Sequence, residues 1–105
     1  MAKVLALSSD LMIGSKVEAT LSAAGHEVTL TSNLPEAPID ADLLVADLDS
    51  ENPQALKNLG IPVLGYYSHV NVDTKQAAEA ASIDLAVPRS RMARELPELV
   101  NKLLS

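Results

Sequence analysis

The three arginines of the chain, Arg89, Arg91 and Arg94, lie within one short segment of an otherwise acidic protein. Guanidinium groups bind carboxylates and phosphates in a bidentate manner, so this segment is a candidate site for an anion or an acidic partner surface. Surface pairing with Glu95 and Glu98 is the alternative, and exposed pairs of this kind stabilise a fold little. The residue types leave both interpretations open.

A histidine, His69, follows an apolar run at residues 62–67 and has the chemistry of an acid, a base or a ligand. No second histidine lies close to it in sequence, and the chain has no cysteine. None of Ser8, Ser9 and Ser68 lies in a G-x-S-x-G nucleophile elbow. We therefore expect no hydrolase triad, and we group Ser68 and His69 with the arginines as candidates for binding an anion or a partner.

Short apolar runs that alternate with helical patterns must position these residues. Five runs predict strands, at residues 3–8, 27–31, 43–47, 62–67 and 85–87. Pro35 and Pro38 leave little room for a helix between the second and third strands. Strands that are apolar on both faces and separated by helices predict a three-layer α/β sandwich. Its single parallel sheet is expected to have the flavodoxin-like order 2-1-3-4-5, with a shortened or missing second helix.

Particular residues are expected to begin the helices. Ser9 or Asp10 is predicted to cap the helix after the first strand. Pro53 predicts the first residue of a short helix, and Asp73 the cap of the next. Pro97 is expected near the N-terminus of the last helix, which carries the clearest amphipathic stripe.

Parallel strands end at a common edge, and ligands of such sheets bind there, near the switch between strands 1 and 3. The residues expected at this edge are Ser8, Ser9, Asp10, Asp47, Asp49, Ser68, His69 and Arg89. The two tyrosines, Tyr66 and Tyr67, are expected on opposite faces of the sheet, one of them as part of a partner surface.

Length and composition limit the number of domains, the class of partner and the location that we expect. The 105 residues, 1–105, are expected to form one domain. A net charge of −6 and only two aromatic residues argue against a nucleic-acid partner. The apolar run at the N-terminus is too short for a signal peptide or a membrane span, so we expect a cytoplasmic protein with no membrane partner.

Four stretches resemble the receiver domains of bacterial response regulators. They are KVLALSSDLMIGSKVEATLSAAGHEV, DLLVADL, IPVLGYYS and AASIDLAVP, and together they cover most of the chain. The resemblance implies the receiver fold. It also implies that Asp47 stands at the phosphoacceptor position, and that the family's two acidic metal ligands are replaced by Ser8 and Ser9. The family's switch hydroxyl falls on Tyr67 and its lysine on Val87.

These replacements favour a pseudo-receiver, a non-enzymatic signalling module that binds proteins. Aspartyl phosphorylation needs Mg²⁺ held by carboxylates, and two of those carboxylates are missing. We expect no cofactor and no metal, with Asp10, Asp47 and Asp49 as the weak metal candidates. Asp47 is instead expected to accept hydrogen bonds from the neighbouring serine hydroxyls. The expected interface, to a protein partner or a second copy, is the face of strand 4, strand 5 and the last helices.

Two alternatives remain open. In the first, the chain is an atypical phosphoacceptor that uses Asp47 and Mg²⁺, with Arg89 supplying the counter-charge. In the second, a small anion or a nucleotide binds at the carboxyl edge of the strands.

Overall fold

The structure, a computed structural model, describes residues 2–34, 40–67 and 72–104. Within them lie five strands: β1 (Lys3–Leu7), β2 (Glu27–Thr31), β3 (Leu43–Asp47), β4 (Val63–Tyr67) and β5 (Leu85–Pro88). Four helices connect or follow them: α1 (Leu11–Ala23), α2 (Pro53–Lys57), α3 (Val72–Ala80) and α4 (Arg89–Leu104). Every pair of neighbouring strands is parallel, in the order β2-β1-β3-β4-β5. The predicted fold class and strand order are confirmed.

Alternate residues of the central strands enter two separate cores, one on each face of the sheet. On the face covered by α1 and α4, Val45, Leu64 and Tyr66 are buried. On the opposite face, Leu44, Val63 and Tyr67 pack with α2 and α3. The two tyrosines therefore lie on opposite faces, as period two predicts. Both are almost fully buried, so the expectation that one forms an exposed partner surface is wrong.

Only one face of the edge strand β2 is apolar and packs against helices. Val28 and Leu30 pack against the core beneath α1 and α4, whereas Glu27 and Thr29 are exposed on the other face. The chain then passes to β3 through residues 32–42, of which 32–34 and 40–42 are described and contain no helix. A strand whose second face is polar loses little when no full helix covers it.

Local signals set the helix ends. Gly25 adopts a φ of +95° after α1, and the N–H groups of Gly25 and His26 donate to the carbonyls of Ser22 and Leu21, both at 3.0 Å. This is the hydrogen-bond pattern of a Schellman motif, which favours glycine at the left-handed position. Asn52 caps α2, with Pro53 as its first residue, as predicted. Helix α3 begins at Val72, two residues earlier than predicted, so Asp73 lies in its first turn and is not the cap.

Helix α4 differs from the prediction in its start. It begins at Arg89, well before Pro97, and is interrupted at Glu95, whose φ of −123° and ψ of 17° are not helical. Proline has no N–H to donate to the preceding turn and its ring clashes there, so the helix bends just before Pro97. The predicted N-terminal position of Pro97 therefore holds for the second part of α4. The first part gave little signal because Met92 is its one buried residue.

Strand β4 contains a close approach between neighbouring elements. Leu48, just past β3, lies over Gly65, and a Cβ atom at position 65 would stand 2.6 Å from Cδ1 of Leu48. Leu48 is buried, so the absence of a side chain at Gly65 lets the turn after Asp47 fold down onto the sheet.

Candidate functional site

The carboxyl ends of β1, β3, β4 and β5 meet at one edge of the sheet. Leu7 is paired in register with Ala46, Asp47 with Tyr66, and Tyr67 with Pro88. Ser8, Asp47 and Arg89 therefore follow or end adjacent strands, where the topology places them. Two further candidates for this edge, Ser68 and His69, lie outside the described residues.

A buried hydroxyl network occupies the end of β1. The Ser8 side chain accepts a hydrogen bond from the Tyr66 hydroxyl at 3.1 Å and another from the Asp10 N–H at 3.2 Å. It donates to the Asp10 carbonyl at 3.0 Å. A serine hydroxyl has one hydrogen and two lone pairs, so these three bonds use its full capacity. Ser8 is 4 % exposed and therefore has neither a free lone pair nor free space for another ligand.

Asp10 is committed to the start of α1. Its Oδ1 accepts hydrogen bonds from the N–H groups of Met12 at 2.9 Å and Ile13 at 3.4 Å, in the geometry of a helix N-cap. This confirms Asp10 as one of the two predicted caps. Carboxylates at this position also interact favourably with the helix dipole.

Asp47 is half-buried at the end of β3 and organises the turn that follows. Its Oδ1 accepts from the Asp49 N–H at 2.9 Å, and its carbonyl accepts from the Glu51 N–H at 3.1 Å. The hydroxyls of Ser8 and Ser9 do not donate to it: Ser8 donates to Asp10, and Ser9 donates to the Ser50 hydroxyl at 3.3 Å. The expectation that these serines donate to Asp47 is wrong, because each hydroxyl has one hydrogen and donates it elsewhere.

Glu51 is a neighbour of Asp47 that sequence reasoning missed. Partial burial raises the pKa of Glu51, and the negative charge of Asp47 raises it further. The sequence signal for this proximity was the spacing of four residues between Asp47 and Glu51, because a tight turn after a strand brings such residues close together.

Tyr66 is the second group that sequence reasoning missed. Burial raises the pKa of its phenol, the hydrogen bond to Ser8 opposes that rise, and the charges of Asp47 and Arg89 act in opposite directions. Its hydroxyl thus lies within the electrostatic range of both Asp47 and Arg89, on the interior side of the edge. Nothing in the sequence joins Tyr66 to Ser8 until the sheet order is known.

The three arginines are exposed on the first part of α4, and the structure separates their roles. Arg91 pairs with Glu95 through a 3.5 Å contact of Nε with Oε2, and the Arg94 Nε donates to the Ser90 carbonyl at 3.3 Å. Arg89 follows Pro88 directly and is the arginine that acts on the Tyr66 phenol. The segment therefore supplies one cation to the strand edge and two to the surface of the helix.

The edge fits a magnesium ion poorly. Among residues 2–34, 40–67 and 72–104, no three His, Cys, Asp or Glu side chains form a group that could hold a metal, so Asp10, Asp47 and Asp49 do not converge. Mg²⁺ needs oxygen ligands in near-octahedral geometry. The oxygen at position 8 is saturated, and position 87, where the resemblance expects lysine, holds a valine that is 1 % exposed.

The described part of the chain also contains no helix that is long and apolar enough to cross a membrane.

Comparison with known proteins identifies the fold. No protein-family model and no curated protein matches the chain. Among solved structures, the receiver domain of Francisella response regulator 1452 matches with a TM-score of 0.81 and 20 % identity, covering 99 % of this chain and 97 % of that one. The Vibrio cholerae chemotaxis response regulator CheY4 matches with a TM-score of 0.82 and 22 % identity, covering 99 % of each chain.

A third similar structure belongs to a longer protein. Brucella abortus NtrX, solved in complex with ADP, matches with a TM-score of 0.84 and 19 % identity over 98 % of this chain. The chain spans 27 % of the length of NtrX. Taken together, these likenesses show that the chain has the fold of response regulator receiver domains.

Proposed function

We propose that this chain is a non-catalytic signalling module of the receiver type, which acts by binding another protein. One observation carries the proposal: the saturated hydroxyl of Ser8 stands at the position where the resemblance expects a metal-binding carboxylate. Its partner Tyr66 closes the same space from β4 with a buried phenol. Phosphoryl transfer to Asp47 would have to proceed without the metal and without a lysine, which together neutralise the transferred group.

Retention of Asp47 is compatible with this proposal. A carboxylate that accepts the Asp49 N–H fixes the turn after β3, a structural role that needs no phosphate. Asp47 therefore has a reason to be present in a chain that is never phosphorylated.

The proposed interface is the surface formed by α3, β5 and α4. Ala77 and Ala80 are exposed on α3, and Leu85 and Ala86 are half-exposed on the edge strand. Small and apolar side chains permit close approach of a partner, and the exposed charges of α4 provide a polar rim. The partner is a second copy of the chain or an effector protein.

Phosphorylation is tested by incubating the chain with acetyl phosphate and Mg²⁺ and measuring its intact mass. We expect no added phosphoryl group in the wild type, in parallel with a conventional receiver domain that does gain one. Asp47→Asn is the matched control. A mass increase in the wild type that disappears in Asp47→Asn would contradict the proposal and support the atypical phosphoacceptor.

The interface is tested by sedimentation velocity over a range of concentrations. If the partner is a second copy, Ala80→Arg should abolish self-association, while Ala23→Arg, at an alanine that is also exposed, on α1, should leave it intact. Equal effects of the two substitutions would place the interface elsewhere.

A further inference from the structure

A groove runs between α1 and α4; Asp47 does not line it, but the groove shares Arg89 with the strand edge. It has a volume of about 320 Å³, which is at the lower end of the range of small-molecule sites. Val17, Met92 and Leu96 form its floor, with Ile13 beside them. The three floor residues belong to the core beneath the two helices, so the floor is apolar.

Small side chains keep the groove open. Thr20 on α1 and Ser90 and Ala93 on α4 line the space, which larger side chains at these positions would fill. The bend of α4 at Glu95 lies directly before Leu96, the last residue of the floor. The gap therefore follows from the local sequence of both helices.

The charges around the groove are of one sign. Lys16 and Arg89 line it, both exposed, and no acidic residue does so among the described residues. The chain as a whole has 14 acidic and 8 basic residues, so a lining with two cations and no carboxylate differs from its general surface. An apolar floor with cationic walls is complementary to a molecule that has an aliphatic body and one negative charge.

We infer that the α1–α4 groove binds a small amphipathic anion, an aliphatic carboxylate of medium length. The aliphatic part would cover Val17, Met92 and Leu96, and the carboxylate would lie between Lys16 and Arg89. The proposal goes beyond the protein-binding role, since its ligand is a small molecule and its groove lies on the α1 side of α4.

The probe is octanoate, titrated into ¹⁵N-labelled protein and followed by the amide shifts of Thr20, Ser90 and Ala93. We expect saturable binding with a Kd in the range of about 1 mM, which is typical for a ligand of this size. Acetate, which lacks the aliphatic part, and octyltrimethylammonium, which carries the opposite charge, should not saturate these amides. Saturation by octyltrimethylammonium at the same concentration as octanoate would overturn the assignment of charge.

Matched variants locate the site. Lys16→Gln and Arg89→Gln should each weaken octanoate binding by about two- to fivefold, as expected for exposed ion pairs. Arg91→Gln removes the same charge from α4 outside the groove and should leave the Kd unchanged. Ala93→Leu, at an exposed helical position that tolerates leucine, should fill the groove and abolish binding. Equal Kd values for all four variants, or no saturable binding by the wild type, would overturn the proposal.

Discussion

The Ser8 hydroxyl, directly after β1, accepts a hydrogen bond from the Tyr66 hydroxyl on β4. Ser8 and Tyr66 are 58 residues apart in sequence and meet in the interior because β1 and β4 flank β3. The bond they form is buried, so neither group can exchange it for water without disturbing the core. In a buried pair, removing one hydroxyl costs more free energy of folding than removing both, because the remaining group is left without a partner.

Removing the Tyr66 hydroxyl should therefore destabilise the fold measurably. We expect Tyr66→Phe to lower the free energy of unfolding by about 1 kcal/mol, since the Ser8 oxygen loses one of its two donors. Ser8→Ala should cost more, about 2 kcal/mol, because the buried phenol is left without an acceptor. Urea denaturation measures both values.

The control for this comparison is Tyr67→Phe. Tyr67 is also buried on β4, but its hydroxyl is not a partner of Ser8, so Tyr67→Phe should leave the hydrogen bonds of Ser8 intact. An equal cost for Tyr66→Phe and Tyr67→Phe would show that the Ser8 contact contributes nothing to stability.

At the scale of secondary-structure elements, the Asp84 carboxylate connects α2, β4 and β5. Its carboxylate, one residue before β5, accepts the Val63 N–H at 2.8 Å and contacts the Lys57 ammonium at 3.1 Å. It thus ties the end of α2 to the starts of β4 and β5. Burial acts to raise the pKa of Asp84, but the Val63 N–H and Lys57 together outweigh it, and the net pKa is lowered below the usual 3.8.

The sign of this shift sets the pH dependence of stability. A carboxyl whose pKa is lower in the folded state stabilises the fold above pH 3.8 and loses that contribution as the pH falls through the folded pKa. Asp84→Ala should cost about 1.5 kcal/mol at pH 7, mostly through the buried Val63 N–H, because the partly exposed Lys57 pair adds little. Urea denaturation at pH 7 and at pH 3 should show that the difference from the wild type shrinks in acid.

Asp84→Asn separates charge from hydrogen bonding. The amide oxygen can still accept the Val63 N–H, so this variant should lose about 0.5 kcal/mol at pH 7. A difference between Asp84→Ala and the wild type that grows as the pH falls would contradict the assigned direction of the pKa.

In α4, the position of Pro97 determines how much this proline destabilises the helix. It stands two residues after the non-helical Glu95, in the first turn of the second part of the helix, where its missing N–H has no partner to lose. Pro97→Ala should therefore change the free energy of unfolding by less than about 1 kcal/mol. Asn101→Pro, in the interior of the same segment, should cost about 3 kcal/mol. Thermal unfolding of the two variants checks this, and a larger loss for Pro97→Ala than for Asn101→Pro would contradict it.

On the scale of the whole molecule, the sheet was predictable because its signals are local. The apolar runs predicted all five strands, and Pro35 and Pro38 left little room for a helix between the second and the third. The cap at Asp10 is similarly local, since its hydrogen bonds to the helix come from residues that closely follow it.

The site was less predictable, for the opposite reason. The topology rule identified the edge, and with it Ser8, Asp47 and Arg89, but not which groups contact one another. The bond of Ser8 to Tyr66 and the influence of Asp47 on Glu51 depend on distances that only the folded chain sets. The start of α4 at Arg89 was missed because one apolar residue, Met92, cannot define a helical period.

The contact of Leu48 with Gly65 limits which substitutions the two positions can accept during evolution. Any side chain at position 65 would meet the buried side chain of Leu48, so position 65 can become larger only if position 48 becomes smaller. Homologues with alanine or a larger residue at position 65 should carry a smaller residue at position 48. Such correlated exchange would record, in sequences alone, a constraint that joins the middle of one strand to the loop after its neighbour.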